Sequence, residues 1–327
     1  MLKHGGRLNA AVAHYGIAPA RWLDLSTGIN PRGWRVPALS ARIWNRLPEP
    51  DDGLIAAAQV YYNAPQVLPV AGSQAAIQAL PLLRAPCRVA VLHPGYAEHA
   101  HAWRHAGHTV TFATVEDVHA VVDDVDVLVL IHPNNPSGTR FATGQLLAWH
   151  ERLAARGGWL VVDEAFMDTT PEASLAPFCG RPGMIVLRSL GKFFGLAGAR
   201  AGFVLASQPI LDALSEHLGP WTITGPTRWV ATLALDDRAW QDTMRAQLLS
   251  ETRRLAQLLA HYGLAPDGGT ALFQWTRTQR AAAIHEHLAH LGILTRRFDE
   301  PPGIRFGLPG SEAQWLRLET ALAGVVT

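Results

Sequence analysis

Lys192 is the residue of this sequence best suited to covalent chemistry. Of the 28 basic residues, only Lys3 and Lys192 are lysines, so a reaction that needs a primary amine has Lys192 as its main candidate. Lys192 follows a strand-like run, Met184–Leu187, and precedes the apolar segment 193–196. Such surroundings disfavour the charged ammonium and so favour the neutral amine that forms imines with carbonyl compounds.

Other segments supply donors for an anion. Gly72-Ser73-Gln74 begins a predicted helix, and the backbone N–H groups at a helix N-terminus attract phosphate. Ser189 and Arg200 flank Lys192 on either side. Ligands of open α/β sheets bind at the carboxyl ends of strands, so we expect these donors to lie together there.

Asp163 follows the apolar run Trp159–Val162 and should be poorly solvated. A buried carboxylate is costly unless it meets a cation or hydrogen-bond donors. Asp163 therefore fits either a structural role, as a helix N-cap or in an ion pair, or a partner for a cationic ring nitrogen. An imine-forming lysine, a phosphate site and such an aspartate together describe a site for pyridoxal phosphate.

Metal and nucleotide motifs are incomplete. The segment 285–289 begins like HExxH, but Ala289 stands where the second histidine is needed, and we predict no metal site. We interpret the pair His287 and His290 as a solvated helix face, and a second run of histidines in the same way: His99, His101, His105 and His108. Gly191-Lys192 lacks the first glycine and the Ser/Thr of a phosphate-binding loop.

The composition favours a globular intracellular protein. Hydrophobic residues make up 48% of the 327 residues and charged residues 17%, with a net charge of +1. This balance predicts no nucleic-acid partner, and the absence of a long apolar run predicts no membrane partner. The two cysteines, Cys87 and Cys179, fit a reducing cytoplasm.

Strand-like runs alternate with helical patterns from about residue 88 to residue 205, which predicts an α/β fold with a mostly parallel central sheet. The first fifty residues are rich in Pro and Gly, and we expect them to be irregular. A smaller α+β domain should follow. The predicted division is an N-terminal substrate-covering segment (1–30), a large cofactor-binding domain (31–218) and a small C-terminal domain (219–327).

These motifs, in this order, resemble fold-type I pyridoxal-phosphate enzymes of the histidinol-phosphate aminotransferase-like branch. They are most similar to the threonine-phosphate decarboxylases of cobalamin biosynthesis. The motifs are Val70-Ala-Gly-Ser-Gln74, His132-Pro-Asn-Asn-Pro-Ser-Gly138, Val161-Val-Asp-Glu-Ala-Phe166 and the segment Arg188–Arg200. The resemblance extends over essentially the whole chain and implies a fold like that of aspartate aminotransferase.

The resemblance also implies roles for individual residues. Lys192 would bind the cofactor covalently, Asp163 would pair with its ring nitrogen, and Tyr96 would stack on the ring. Asn135 would donate to the phenolic oxygen of the ring. The implied phosphate ligands are Ser73, Gln74, Ser189 and Arg200. The implied substrate-binding residues are His4, Asn30, Asn135, Arg296, Arg297 and Arg305, with the carboxylate and phosphate roles undivided among His4 and the three arginines.

Two departures bear on the activity. Phe166 stands where many aminotransferases of this branch have tyrosine, which is similar to the decarboxylases. Leu47-Pro48-Glu49 replaces a Tyr-Pro-Asp segment that reaches the partner subunit's cofactor in a family homodimer. The expected activity is decarboxylation of L-threonine O-3-phosphate to (R)-1-aminopropan-2-yl phosphate. The alternatives are a histidinol-phosphate aminotransferase-like transaminase and a non-catalytic pyridoxal-phosphate-binding regulator.

Overall fold

The chain alternates helices and strands across residues 5–325, which are the residues that the computed structural model describes. Its α-helices are α1 (Leu8–Tyr15), α2 (Leu54–Tyr62), α3 (Ser73–Ala79), α4 (Ala97–His105), α5 (Val118–Val121), α6 (Thr143–Ala154), α7 (Gln208–Leu218), α8 (Gly225–Asp236), α9 (Arg238–His261), α10 (Ala281–His290) and α11 (Glu312–Ala323). Its strands are β1 (Leu23–Asp24), β2 (Leu68–Val70), β3 (Arg88–Leu92), β4 (Thr109–Ala113), β5 (Val127–Ile131), β6 (Trp159–Asp163), β7 (Met184–Ser189), β8 (Gly202–Ala206), β9 (Gly268–Thr270), β10 (Phe273–Arg277), β11 (Ile293–Leu294), β12 (Arg296–Asp299) and β13 (Pro302–Gly307).

The larger sheet has the strand order β2-β8-β7-β6-β5-β3-β4. Strands β3 to β7 run parallel to one another, whereas β8 is antiparallel to both of its neighbours. Every residue of β5 is buried, as expected for a strand covered on both faces. The predicted α/β class and mostly parallel sheet are confirmed.

Helices cover this sheet through large apolar side chains. Trp103 of α4 and Trp149 of α6 are each 1% exposed. The next buried positions on α6, Leu146 and Leu153, lie three and four residues from Trp149 and so share its helix face. This packing fixes the strands whose carboxyl ends carry the candidate site.

The smaller sheet is antiparallel, with the order β12-β13-β10-β9. A separate parallel pair joins β1 to β11, with Leu23 opposite Ile293. Helix α11 buries Trp315, Leu318 and Leu322, which recur at helical spacing. The predicted C-terminal strands and helices are therefore present.

The chain divides into two compact units. One holds the described residues up to Arg32, residues 136–138 and the chain from Met244 onward; the other holds residues 33–135 and 139–243. We expected the later boundary near residue 219, but α8 packs against α2, and Arg228 of α8 pairs with Asp52 at 2.7 Å. The N-terminal segment joins the C-terminal unit because β1 pairs with β11.

The expectation that the first fifty residues are irregular is wrong for α1. Its sequence, LNAAVAHY, contains three alanines, the residue with the highest helix propensity. Gly16 ends the helix in the left-handed conformation, with φ of 67°. The many Pro and Gly residues nearby concealed this short helical pattern. Among residues 5–325, no helix is long and apolar enough to cross a membrane.

Candidate active site

A pocket of about 160 Å³ lies where several strands of the larger sheet end. Strand β6 ends at Asp163 and β7 ends at Ser189, and both residues line the pocket. It brings together every residue predicted to bind the cofactor: Ser73, Gln74, Tyr96, Asn135, Asp163, Ser189, Lys192 and Arg200. Residues far apart in the sequence thus meet at the edge of the sheet where ligands bind in open α/β folds.

Asp163 is 4% exposed and is held from two sides. Its Oδ2 lies 3.0 Å from Nε2 of His99, and its Oδ1 accepts a hydrogen bond of 3.0 Å from the backbone N–H of Ala165. These contacts fix the carboxylate at the end of β6 and compensate its desolvation. An anionic group held in this way is suited to stabilise a cationic ring nitrogen.

The interpretation of His99, His101, His105 and His108 as a solvated helix face is wrong for two of these residues. His99 is 1% exposed and His108 is 5% exposed, whereas His101 and His105 are exposed. His99 lies four residues before Trp103, so the two share the buried face of α4. The spacing from Tyr96 to His99 was the sequence signal that could have placed His99 at the site.

Lys192 lies in the loop after β7, among apolar groups. Its Nζ is 5.4 Å from the centroid of the Phe166 ring, and Phe166 is 4% exposed. The next residues, Phe193 and Phe194, are almost fully buried and anchor the loop. Ser189 Oγ accepts a hydrogen bond of 3.2 Å from the N–H of Gly191, which orders the turn before the lysine.

Gly72 and Arg200 form a cradle for an anion next to the start of α3. A Cβ on Gly72 would lie 2.5 Å from Nη2 of Arg200, so only glycine allows this approach. Arg200 itself has φ of +55°, a conformation that is uncommon for residues other than glycine and that clusters at functional sites. The guanidinium, together with the nearby Ser73 in the same pocket, is a donor set that fits a phosphate.

Tyr96 lies at the other side of the pocket and begins a chain of hydrogen bonds. Its hydroxyl donates to Gln74 Oε1 at 3.2 Å, and Gln74 Nε2 donates to Glu98 Oε2 at 3.1 Å. Burial raises the pKa of Tyr96 to about 12, and the charges of Glu98 and Asp163 add to this effect. The phenol therefore stays protonated at neutral pH.

The two asparagines of the Pro-Asn-Asn-Pro segment have different positions. Asn134 is 1% exposed, and its Nδ2 donates to the carbonyl of Pro94 at 2.8 Å. Asn135 lines the pocket. Asn134 therefore fixes the loop, and Asn135 faces the space where a ligand would bind.

A buried ion network joins the ends of β6 and β7. Arg188 donates to Glu164 Oε2 and to Asp168 Oδ1, each at 2.7 Å. Its guanidinium carbon lies 4.6 Å from the ring centroid of Tyr62. Burial lowers the pKa of Arg188, but the two carboxylates raise it above its ordinary value. Glu164 follows Asp163, and Arg188 precedes Ser189, so the network stabilises the backbone that carries pocket residues.

Four other predicted substrate-binding residues belong to the other compact unit: Asn30, Arg296, Arg297 and Arg305. Asn30 and Arg305 are buried, and Arg296 and Arg297 line a separate groove. Arg305 donates through Nη2 to the carbonyl of Ser26 at 2.8 Å. His4 lies outside the described residues.

Comparison with known proteins assigns the family. The sequence model of the family described as aminotransferase class I and II matches residues 35–322. The chain belongs to the aminotransferase class I and II family. It is 57% identical to a threonine-phosphate decarboxylase of Pseudomonas aeruginosa over 99% of this chain and 98% of the relative. A Sinorhizobium threonine-phosphate decarboxylase is 42% identical over 98% of this chain and 97% of that protein.

A solved structure of this family has the same fold. Histidinol-phosphate aminotransferase from Sinorhizobium meliloti, in complex with pyridoxal-5'-phosphate, superimposes with a TM-score of 0.84 at 22% identity, covering 99% of this chain and 95% of that one. The fold expected for this aminotransferase-like chain is confirmed, and so is its resemblance to threonine-phosphate decarboxylases.

Proposed function

We propose that this protein is a pyridoxal-phosphate-dependent decarboxylase that converts L-threonine O-3-phosphate to (R)-1-aminopropan-2-yl phosphate in cobalamin biosynthesis. The observation that carries the proposal is the likeness of nearly the whole chain to the Pseudomonas decarboxylase, at 57% identity. The pocket that contains Lys192, Asp163 and Arg200 supports the proposal, since it brings together an amine, a carboxylate and a guanidinium that can bind a phosphate.

The pocket residues fit pyridoxal phosphate. Lys192 would hold it covalently, Asp163 would face its ring nitrogen, and Tyr96 would stack on its ring. The Gly72–Arg200 cradle would hold its phosphate together with Ser73, Gln74 and Ser189. Because the Gln74 side chain is bonded to Tyr96 and Glu98, its contact with phosphate would use the backbone N–H. Asn135 would donate to the phenolic oxygen of the ring.

The bound cofactor would act as an electron sink for the charge left at Cα when CO₂ departs. Asp163 would support this by facing the ring nitrogen, held in place by His99 and the Ala165 N–H. Lys192, on its loop above the sheet, would hold the proton that is returned to Cα, since a general acid has to reach that atom. Phe166 cannot donate a hydrogen bond, so the ring oxygen would have fewer donors than in many aminotransferases.

The substrate must be held with its carboxylate out of the plane of the cofactor ring, and binding of the distal phosphate can supply the energy for this orientation. Residues Arg296 and Arg305 are direct partners across β12 and β13, so they share one face of the smaller sheet. Arg297 is the next residue of β12, pairs with Asp299 at 3.2 Å and lines the same groove as Arg296. We therefore propose that Arg296 and Arg305 bind the substrate's anionic groups; Arg297, Asn30 and His4 remain proposed contributors.

We infer a homodimer in the cytoplasm. Trp44 and Leu47 are each 65% exposed, beside a groove that Leu47 lines together with Trp229 of α8. A second copy of this chain would cover these apolar side chains, which a monomer leaves in water. The cytoplasmic location is supported by two free thiols, Cys87 and Cys179.

The first experiment is incubation of the protein, saturated with pyridoxal phosphate, with L-threonine O-3-phosphate. We expect release of CO₂ and formation of (R)-1-aminopropan-2-yl phosphate, identified by mass spectrometry on a chiral column. Lys192→Ala should abolish turnover, and borohydride reduction should attach the cofactor to the wild-type protein but not to the variant.

Other outcomes identify the alternatives. Absence of CO₂ together with 2-oxoglutarate-dependent transamination of histidinol phosphate would assign an aminotransferase. Cofactor binding without turnover of either substrate would favour a regulator.

A further inference from the structure

A groove between α1 and β12 is open to small molecules. We call it the α1–β12 groove, and its volume is about 380 Å³. Arg7, Ala10, Ala11 and His14 line it from the helix side, at the spacing that places side chains on one face. The small side chains of the two alanines leave space between Arg7 and His14. A groove of this size accommodates a ligand group such as a phosphate.

The lining of the groove is positively charged. Three guanidinium groups and two carboxylates line it, which gives +3 − 2 = +1 when the histidines are neutral. The carboxylates are those of Glu286 and Asp299. Glu286 accepts a hydrogen bond of 2.8 Å from Tyr15, and Asp299 lies 3.2 Å from Arg297. Each carboxylate thus has a partner other than Arg7.

Arg7 and Arg296 affect each other across this groove. Burial lowers the pKa of the Arg296 guanidinium; Asp299 opposes this effect, and the positive charge of Arg7 adds to it. Two guanidiniums close enough to repel each other are stabilised when an anion lies between them. Arg7 is exposed and caps α1 without any side-chain hydrogen bond to the helix, so its guanidinium can turn toward such an anion.

We propose that Arg7 is a specificity-determining residue that binds the phosphate group of the substrate, together with Arg296, in the α1–β12 groove. This inference rests on the proposed function, which supplies a substrate with a phosphate. A phosphate monoester carries a charge of about −1.5 to −2 at neutral pH and three acceptor oxygens, so it can bind two guanidiniums at once. The groove would therefore discriminate against threonine that is not phosphorylated.

The test compares Arg7→Gln with wild type, both saturated with pyridoxal phosphate. We expect KM for L-threonine O-3-phosphate to rise by about tenfold or more, the effect of losing one charge-assisted hydrogen bond, and kcat to fall as well, because phosphate binding helps to orient the substrate's carboxylate. Arg7→Lys keeps the charge and should recover part of the affinity. Arg21→Gln is the matched control, because Arg21 is an exposed arginine of the same N-terminal segment that does not line the groove.

A second readout does not depend on turnover. Calorimetry with inorganic phosphate should show weaker binding to Arg7→Gln than to wild type or Arg21→Gln. If Arg7→Gln matches Arg21→Gln in both KM and phosphate affinity, the inference is wrong although the proposed function stands. If wild-type protein releases no CO₂ from L-threonine O-3-phosphate, the proposed function is wrong, and the calorimetric comparison separately decides whether Arg7 binds phosphate.

Discussion

At the scale of residues, Asp163 depends on a neighbour from another element. His99 approaches it from α4 at 3.0 Å, and both side chains are buried. A carboxylate that loses such a partner in a buried site is either left without compensation or changes its orientation. His99 is therefore a positioning residue for the group proposed to face the cofactor.

We expect His99→Ala to lower kcat by about tenfold or more, because one hydrogen bond to a buried charged group contributes about 1.5–3 kcal/mol. The measurement is single-turnover decarboxylation of L-threonine O-3-phosphate, with circular dichroism to confirm the fold. His101→Ala is the control, since His101 is exposed on the same helix. An equal loss in both variants would contradict a specific role for His99.

The sequence predicted that Lys192 and Asp163 lie close together because each follows an apolar strand of the same sheet, and both residues line one pocket. It did not single out Arg7, because the groove that Arg7 lines also includes residues of the distant strand β12. Nor could it show which of Arg296 and Arg297 lies opposite Arg305, because a one-residue shift in a strand reverses the face, and only the pairing with β13 determines the register.

At the scale of elements, β6 and β7 are joined by more than their backbone ladder. The guanidinium of Arg188 pairs with the carboxylates of Glu164 and Asp168, and all three side chains are almost fully buried. Burial raises the pKa of Glu164, although Arg188 opposes that effect. Removing the guanidinium would leave two desolvated carboxylates next to the end of β6, which carries Asp163, and near the loop after β7, which carries Lys192.

Arg188→Met should therefore lower the free energy of unfolding by about 3–5 kcal/mol. Urea unfolding followed by circular dichroism measures this change. Arg88→Met provides the comparison, since Arg88 forms an exposed ion pair with Asp126 at 3.7 Å. That variant should lose about 1 kcal/mol or less. Similar losses in the two variants would show that the buried network contributes no more to the free energy of unfolding than an exposed ion pair does.

Elements with a strong pattern were predictable from the sequence. Strands β3 to β8 lie at residues 88–206, which matches the range over which the sequence predicts alternating strands and helices. Strand β2 was missed because it has three residues and contains Pro69. It pairs only with β8 at the edge of the sheet, where proline is tolerated. Such short strands are determined by their partners rather than by their own sequence.

At the scale of the whole molecule, His132 couples stability to pH. His132 directly follows β5 and is fully buried. Its Nε2 accepts a hydrogen bond of 3.1 Å from the N–H of Phe141. Burial lowers the pKa of His132 to about 4, and the charge of Arg140 contributes to the same shift. The folded protein thus holds this imidazole neutral where the unfolded chain would protonate it.

Below the unfolded pKa of about 6.5, the unfolded state binds more protons at this position, so folding stability falls as the pH falls toward 4. We expect His132 to account for a loss of up to about 3 kcal/mol between these limits. His132→Gln, which keeps an acceptor for Phe141, should reduce the difference between urea unfolding at pH 6.5 and at pH 4.5. Exposed His101→Gln should leave it unchanged, and an unaltered pH dependence in His132→Gln would contradict this assignment.

The division of the chain was also only partly visible in the sequence. The predicted boundary at residue 219 lies next to two chain-breaking pairs, Gly219-Pro220 and Gly225-Pro226. Helix α8 instead belongs to the same unit as α2. Arg228 and Asp52 form an ion pair there that no local sequence pattern predicts. A boundary inside the continuous helix α9 has no composition signal at all, because the helical period continues across it.

The scarcity of lysine has a practical consequence for anyone who handles this protein. Lys192 is the single lysine within residues 5–325, and Lys3 lies near the start of the chain. Reagents that acylate amines therefore have very few targets, and one of them lies inside the pocket beside Phe166. Mass spectrometry of the acylated protein would then measure the fraction of molecules in which the amine of Lys192 is already blocked.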